Sequence, residues 1–152
     1  MKLRIVLVGR TKQAFVKPAI EEYRNRCKRY VQLEELVLNE GKGDVDKMMQ
    51  QEEASILKAI SSSDRTIVLD ERGTEFSTVE LAGIWQDIQL GGFKEVSIVV
   101  GGAYGLSDKV RQKADIVLAL SKLTFPHQFV RAILYEQLYR VFTVLKNEPY
   151  HH

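Results

Sequence analysis

The run from Leu120 to Arg140, LSKLTFPHQFVRAILYEQLYR, gathers hydroxyls, apolar side chains, a histidine and two arginines in one loop and the helix after it. Ser121 and Thr124 supply hydroxyls, Leu123 and Phe125 supply apolar walls, and Lys122 lies between them. Pro126 disfavours helical geometry at Phe125, which keeps the peptide extended until the helix starts. Exposed amides and carbonyls in such a loop can read the edge of an adenine; the same loop could instead only cap the last helix. A second candidate is IVVGGAYGL, Ile98 to Leu106, where Gly101 and Gly102 directly follow an apolar strand. Glycine lets a ligand approach the backbone because no Cβ intervenes, and it also serves a tight turn. A third strand end is Leu69-Asp70, in IVLDERG. Ligands of open α/β sheets gather beyond the carboxyl ends of strands, so these three ends belong together. Gly101, Gly102 and Gly105 match neither the dinucleotide fingerprint nor the phosphate loop, which disfavours an ordinary nucleotide-dependent oxidoreductase.

Other groups able to do chemistry are scattered. His127, His151, His152 and Cys27 lack the clustered spacing of a zinc site, so no metal is expected. Cys27 lies in RNRCKRY, where cations favour a thiolate; the plainer reading is a bystander thiol on a helix. Arg140 and Glu136 have the i,i+4 spacing of a helix-surface pair. Tyr104 is free to stack on a base or to pack.

Positioning these groups takes alternating strands and helices. Leu3 to Val8 is a nearly continuous apolar run ending at Gly9, as in a strand buried on both faces. Pro18 sits in the first turn of a helix carrying AIEEYRNRCKRY. Leu33 to Leu38 reads as a strand, NEGKGD as a mobile loop, and Asp46 to Ile60 as a helix. Thr66 to Leu69 is a short strand entering the DERG loop. Ser77 to Leu90 is a helix with Val79, Leu81, Ile84, Trp85 and Ile88 on its apolar face. Val96 to Val100 is a strand, Ser107 caps a helix through Lys113, Ile116 to Leu120 is the last strand, and His127 to Leu145 is the final helix. The order implies one α/β domain over residues 1–152, a mostly parallel sheet with helices on both faces.

Composition agrees: 45% hydrophobic and 28% charged residues are ordinary for a globular chain and too apolar for disorder. No apolar run reaches the roughly 20 residues that span a bilayer, and MKLRIVLVGR lacks a cleavage region, so a cytoplasmic protein with no membrane partner is expected. The net charge of +2 is unevenly spread. Lys2, Arg4, Arg10, Lys12, Lys17, Arg24, Arg26, Lys28 and Arg29 face only Glu21 and Glu22, whereas acids dominate from Glu34 to Asp64. That asymmetry suits a basic face for a polyanion, or simply a solvated helix.

KLRIVLVGR, IVLDERG, IVVGGAYGLS, LSKLTFPHQFVRAILYEQLYR and EPYHH together resemble the RlmH (YbeA-type) family of SPOUT-class methyltransferases along the whole chain. The resemblance implies a SPOUT fold whose C-terminal part forms a deep trefoil knot. It implies S-adenosyl-L-methionine held by Leu69, Asp70, Gly101, Gly102, Ser121, Lys122, Leu123, Thr124, Phe125 and Pro126. It also implies a homodimer joined through the knot and last helix, with Phe129, Ile133 and Tyr135 as interface or core residues. The implied reaction is N3-methylation of a pseudouridine in the helix 69 loop of 23S rRNA, on the assembled 70S ribosome. N3 bears a proton, so the site needs a base or a positive charge that favours the anion. His151 with Tyr150 is the first choice for that role, Arg131 a phosphate or base contact, and His127 a structural residue. Arg10, Arg24 and Arg26 are the expected RNA anchors. His152 stands where relatives often place a basic residue, and a non-catalytic adenosyl-ligand or ribosome-associated module is the alternative.

Overall fold

The computed structural model describes Met1–His152. Its elements run β1 (Lys2–Val8), α1 (Lys17–Cys27), β2 (Gln32–Leu38), α2 (Val45–Ala59), β3 (Arg65–Glu75), α3 (Thr78–Leu90), β4 (Glu95–Val100), α4 (Asp108–Lys113), β5 (Ile116–Ala119) and α5 (His127–Leu145). All five strands are parallel, in the order β2-β1-β4-β3-β5. Parallel strands need crossovers, and each here is a helix.

Alternation along the strands sorts the core into two layers. Leu3, Ile5 and Leu7 of β1 and Val96, Ile98 and Val100 of β4 point to the layer holding α1, α3 and α5. Val6, Val8, Val68 and Val99 point the other way, onto Ile56 and Ile60 at the end of α2 and Val110 of α4. Strands covered on both faces must be apolar at successive positions, which accounts for their unbroken hydrophobic runs.

Local chemistry sets the helix ends. Pro18 lies in the first turn of α1. Ser77 and Glu80 form a reciprocal capping box on α3, and Ser107 accepts from the Val110 amide on α4. Asn147 adopts a left-handed backbone (φ 53°) just past α5 and turns the chain back along the helix.

Three sequence expectations change, and the plainer reading of Cys27 holds. The DERG segment is an excursion inside β3 rather than its end: Leu118 of β5 pairs with both Leu69 and Thr74, so residues 70–73 leave the ladder and the strand resumes. Gly73 permits this, because a Cβ there would lie 2.4 Å from the Val117 carbonyl oxygen. Val79 is 60% exposed, and the buried stripe of α3 is Ala82, Trp85 and Ile88. The NEGKGD loop is stapled to α2: Glu52, itself buried, accepts the Gly41 amide at 2.9 Å, and Gln51 exchanges bonds with both backbone groups of Lys42. Cys27 is fully enclosed, donates to the Tyr135 carbonyl at 3.5 Å, and has its thiol pushed up to about 12 by burial. The cationic neighbours in sequence therefore do not make a thiolate.

Phe142 lies at the centre of the larger layer, stacked on Tyr30 at 5.5 Å and edge-on to Trp85 at 5.7 Å. Phe142→Ala should destabilise the protein by about 3–5 kcal/mol, read as a lower urea midpoint at unchanged slope. A loss below about 1 kcal/mol would mean that the layer is not packed around this ring.

Candidate active site

A cavity of about 400 Å³ lies over the carboxyl ends of β3, β4 and β5. Its walls are the start of the β3 excursion, the glycine loop after β4, the loop between β5 and α5, and His127 and Val130 of α5. Leu69, Asp70, Gly101, Gly102, Ser121, Leu123, Thr124, Phe125 and Pro126 all line it; Lys122 does not. The volume falls within the range of small-molecule sites.

Each wall has its own fastening. After β4 the chain folds on itself: Gly102 and Gly105 form an isolated bridge, and Gly105 takes φ +78°. A Cβ on Gly101 would lie 2.9 Å from the Gly105 carbonyl oxygen, and one on Gly102 would press on Glu52 and Val8 at 3.2 Å. Backbone packing demands the glycine at 101, side-chain crowding favours that at 102, and the left-handed backbone favours that at 105. In the β5–α5 loop, Ser121 accepts the Leu123 amide at 3.0 Å. Thr124 donates to Glu71 at 2.7 Å, which ties this loop to the β3 excursion.

Asp70 joins the other two walls. Its carboxylate receives the Arg72 amide at 3.0 Å, the Arg72 guanidinium at 2.9 and 3.0 Å, and Arg111 at 3.1 Å. Arg111 also donates to the Leu106 carbonyl and to Asp108, so the carboxylate holds the glycine loop against β3. Burial opposes ionisation of Asp70, but the bonds and charges of the two arginines outweigh it and hold the group below the usual carboxylate range. His127, at the cavity edge, is held below its ordinary value by burial and the nearby Arg131 charge, which favours neutral imidazole.

The three residues expected to act on substrate lie elsewhere in the chain. Arg131 is fully buried and donates to the Val8 carbonyl at 2.7 Å and to Thr11 at 2.9 Å; it faces the end of β1. Tyr150 lies over α1 and α5, its ring 4.6 Å from that of Tyr139 and its hydroxyl within 3.3 Å of Tyr23 and 3.1 Å of Glu136. Burial first, and then these neighbours, raise the Tyr150 pKa. His151 follows it with a buried Nδ1 that has no partner. Arg140 does pair with Glu136 and also sits over the Tyr150 ring at 4.7 Å. Tyr104 lines the cavity and is 55% exposed. Of the basic residues, Arg24 engages Glu35 at 3.4 Å and Arg26 engages Glu22 at 2.6 Å; Arg10 has no such partner. Sequence reading missed Glu71 and the cavity position of His127. The Thr124–Glu71 contact spans 53 residues and leaves no local signal.

A parallel α/β sheet with a cleft over three neighbouring strand ends is a frame in which open α/β proteins hold their ligands. The chain belongs to the SPOUT methyltransferase family, matching the description "Predicted SPOUT methyltransferase" over residues 1–151. Within it the chain groups with the RlmH relatives. Ribosomal RNA large subunit methyltransferase H of Geotalea uraniireducens is 42% identical over 153 residues, covering 100% of both chains. The protein of the same name from Geobacter sulfurreducens is also 42% identical over 153 residues with full coverage of both. The fold resembles a probable methylase family protein from Haemophilus influenzae (TM-score 0.63, 14% identity, 99% of this chain and 70% of that one). It also resembles a probable methyltransferase from Bordetella pertussis (TM-score 0.60, 12% identity, 92% of this chain and 95% of that one). No group of three or more His, Cys, Asp or Glu side chains is placed to hold a metal ion, and no helix is long and apolar enough to cross a membrane.

Asp70→Asn should lower stability by about 1–3 kcal/mol at neutral pH, because two guanidinium groups lose their anion. A depressed folded pKa stabilises above the unfolded carboxylate value of about 4 and ceases to do so as pH falls through the folded value. The gap between wild type and variant should therefore be constant near neutrality and shrink below about pH 4. Urea midpoints across pH check this, and a pH-independent gap would contradict it.

Proposed function

We propose that this protein transfers methyl from S-adenosyl-L-methionine to N3 of a pseudouridine in the helix 69 loop of 23S rRNA, on the assembled 70S ribosome. The cavity carries the reading: it brings together nine of the ten residues that the family resemblance assigns to the cofactor. The chemistry of its walls fits that molecule. Leu69, Leu118, Leu120, Leu123 and Phe125 offer apolar faces for a flat ring, and the loop from Ser121 to Pro126, bent at Lys122 and Leu123, offers backbone groups to its edge. Glu71 puts a carboxylate beside a ligand that carries a sulfonium and an ammonium, whereas the carboxylate of Asp70 is taken up by Arg72 and Arg111. When bound, the cofactor supplies an activated methyl group to a nucleophile held in line with it.

The protein's own residues orient the nucleotide and deal with the N3 proton. His151 with Tyr150 is the choice for taking it; His127, at the cavity edge, is a poor acceptor because burial and the Arg131 charge oppose its imidazolium. Tyr150 and His151 act in this reading on the cavity of a second subunit, since both lie away from the cavity of their own chain. A homodimer through α5 is supported by Phe129, 43% exposed on that helix, and by exposed Val79 on the adjoining α3. Tyr135 is spoken for inside the subunit, buried and bonded to Glu35 at 2.6 Å. The expected trefoil knot is supported by the path of the last segments: β5 lies outside β3 at the sheet edge, and α5 returns to pack against α1 and α3. A ribosomal substrate places the enzyme in the cytoplasm.

Radiolabelled methyl should pass from S-adenosyl-L-methionine to large-subunit RNA of assembled ribosomes lacking the modification, and not to separate subunits. No label, with cofactor bound, would make the protein a non-catalytic binding module. Mixing inactive Phe125→Asp and His151→Ala chains should restore about a quarter of wild-type transfer, because half of random dimers carry one intact site. No recovery would place His151 outside any shared site.

A further inference from the structure

The segment joining β1 to α1, Arg10 to Lys17, lies at the same end of the sheet as the cavity, and β1 is the direct neighbour of β4. Its sequence, RTKQAFVK, has three cations and no acid. Arg10, Lys12 and Lys17 are all exposed, and Phe15 stands 71% exposed among them. Arg10 and Lys17 have no ion-pair partner, and the contact of Lys12 with Glu40 at 3.2 Å is a solvated pair of little strength. Cations interleaved with an uncovered aromatic ring form a surface for an unpaired nucleic-acid strand: charge tracks the phosphates and the ring stacks on a base.

This segment is not loose. Two buried polar side chains of α5 hold it. Gln128, 6% exposed, accepts both the Lys12 amide at 2.8 Å and the Gln13 amide at 2.9 Å through one oxygen. Arg131 reaches the Val8 carbonyl and the Thr11 hydroxyl, both neutral, while its Nε has no partner. Enclosing a guanidinium with no carboxylate in contact, only Glu35 and Glu40 farther off, is costly. What the arginine adds is a fixed loop path. His127 and Val130, their neighbours on α5, line the cavity, so the first turns of one helix hold the segment and the cavity wall together.

We infer that Arg10–Lys17 is an RNA-docking ledge, taking the sugar-phosphate backbone beside the target nucleotide with Phe15 stacked on an unpaired base, and that Gln128 is its positioning residue. The inference rests on the methyl-transfer reading above and names the surface that presents the nucleotide to the cavity. It centres RNA contact on the segment beside the cavity rather than on Arg24 and Arg26 of α1, whose own pairs with Glu35 and Glu22 are partly solvated. One strand spacing of about 5 Å separates β1 from β4, which lets nucleotides flanking the target span ledge and cavity.

Co-sedimentation with 70S ribosomes across about 50–200 mM salt tests this directly. Arg10→Ala/Lys12→Ala/Lys17→Ala should weaken binding at least about tenfold and reduce the slope of log K against log salt by about two. Phe15→Ala should weaken binding about tenfold at unchanged slope. Both variants should keep wild-type melting temperature and wild-type affinity for S-adenosyl-L-methionine. Gln128→Leu should raise KM for ribosomes with little change in kcat, and Gln128→Glu, which keeps the accepting oxygen, should recover most of it. A triple variant with wild-type slope and affinity would overturn the ledge even if wild type transfers methyl. A ledge-dependent slope in a wild type that transfers no methyl would uphold the ledge and sink the catalytic reading.

Discussion

The burial of α5 against α1, α3 and one face of the sheet is the constraint on which the rest depends. Leu134, Tyr135, Leu138, Val141 and Phe142 are taken up by that packing, leaving the helix no freedom to slide or rotate. Its first turn is thereby fixed beside the cavity and above the end of β1. The β5–α5 loop must then cross the mouth of the cavity, and Pro126 starts the helix where that crossing ends. Apolar packing distant from the chemistry thus sets where the candidate chemistry sits.

Polar groups refine that placement. Asp70 and Arg111 bind two walls together, Thr124 and Glu71 bind a third, and Glu52 backs the glycine loop from the opposite side of the sheet. Arg131 and Gln128 fasten an otherwise irregular connection to the same helix. Apart from Thr124 and Glu71, which are exposed, these side chains are polar and at least partly shielded from water, where an unmet group costs most. A cavity framed this way is preorganised: its loops do not have to be ordered when a ligand arrives.

Charge alone was a poor guide to partners. The cation-rich N-terminal segment reads as one basic face, yet the structure divides it. Lys2 and Arg4 join Glu34 and Glu95 at the far end of the sheet, while Arg24 and Arg26 are paired over α1. Arg10, Lys12 and Lys17 remain turned to solvent beside the cavity. Cys27 likewise has cationic neighbours in sequence but faces the core, where desolvation decides its state.

The alternation of apolar runs with amphipathic stretches determined the α/β class and nearly every element, because residue periodicity reports burial directly. The glycines after β4 and the LTFP loop were legible for the same reason: local backbone demands leave local residues. The return of β3 after Gly73, the burial of Glu52, the enclosure of Arg131 and the resting place of Tyr150 were not. Each arises from contacts between residues far apart in the chain, such as the 123 residues between Arg131 and Val8. The meeting of such partners depends on how the layers close, and only the tertiary structure decides that.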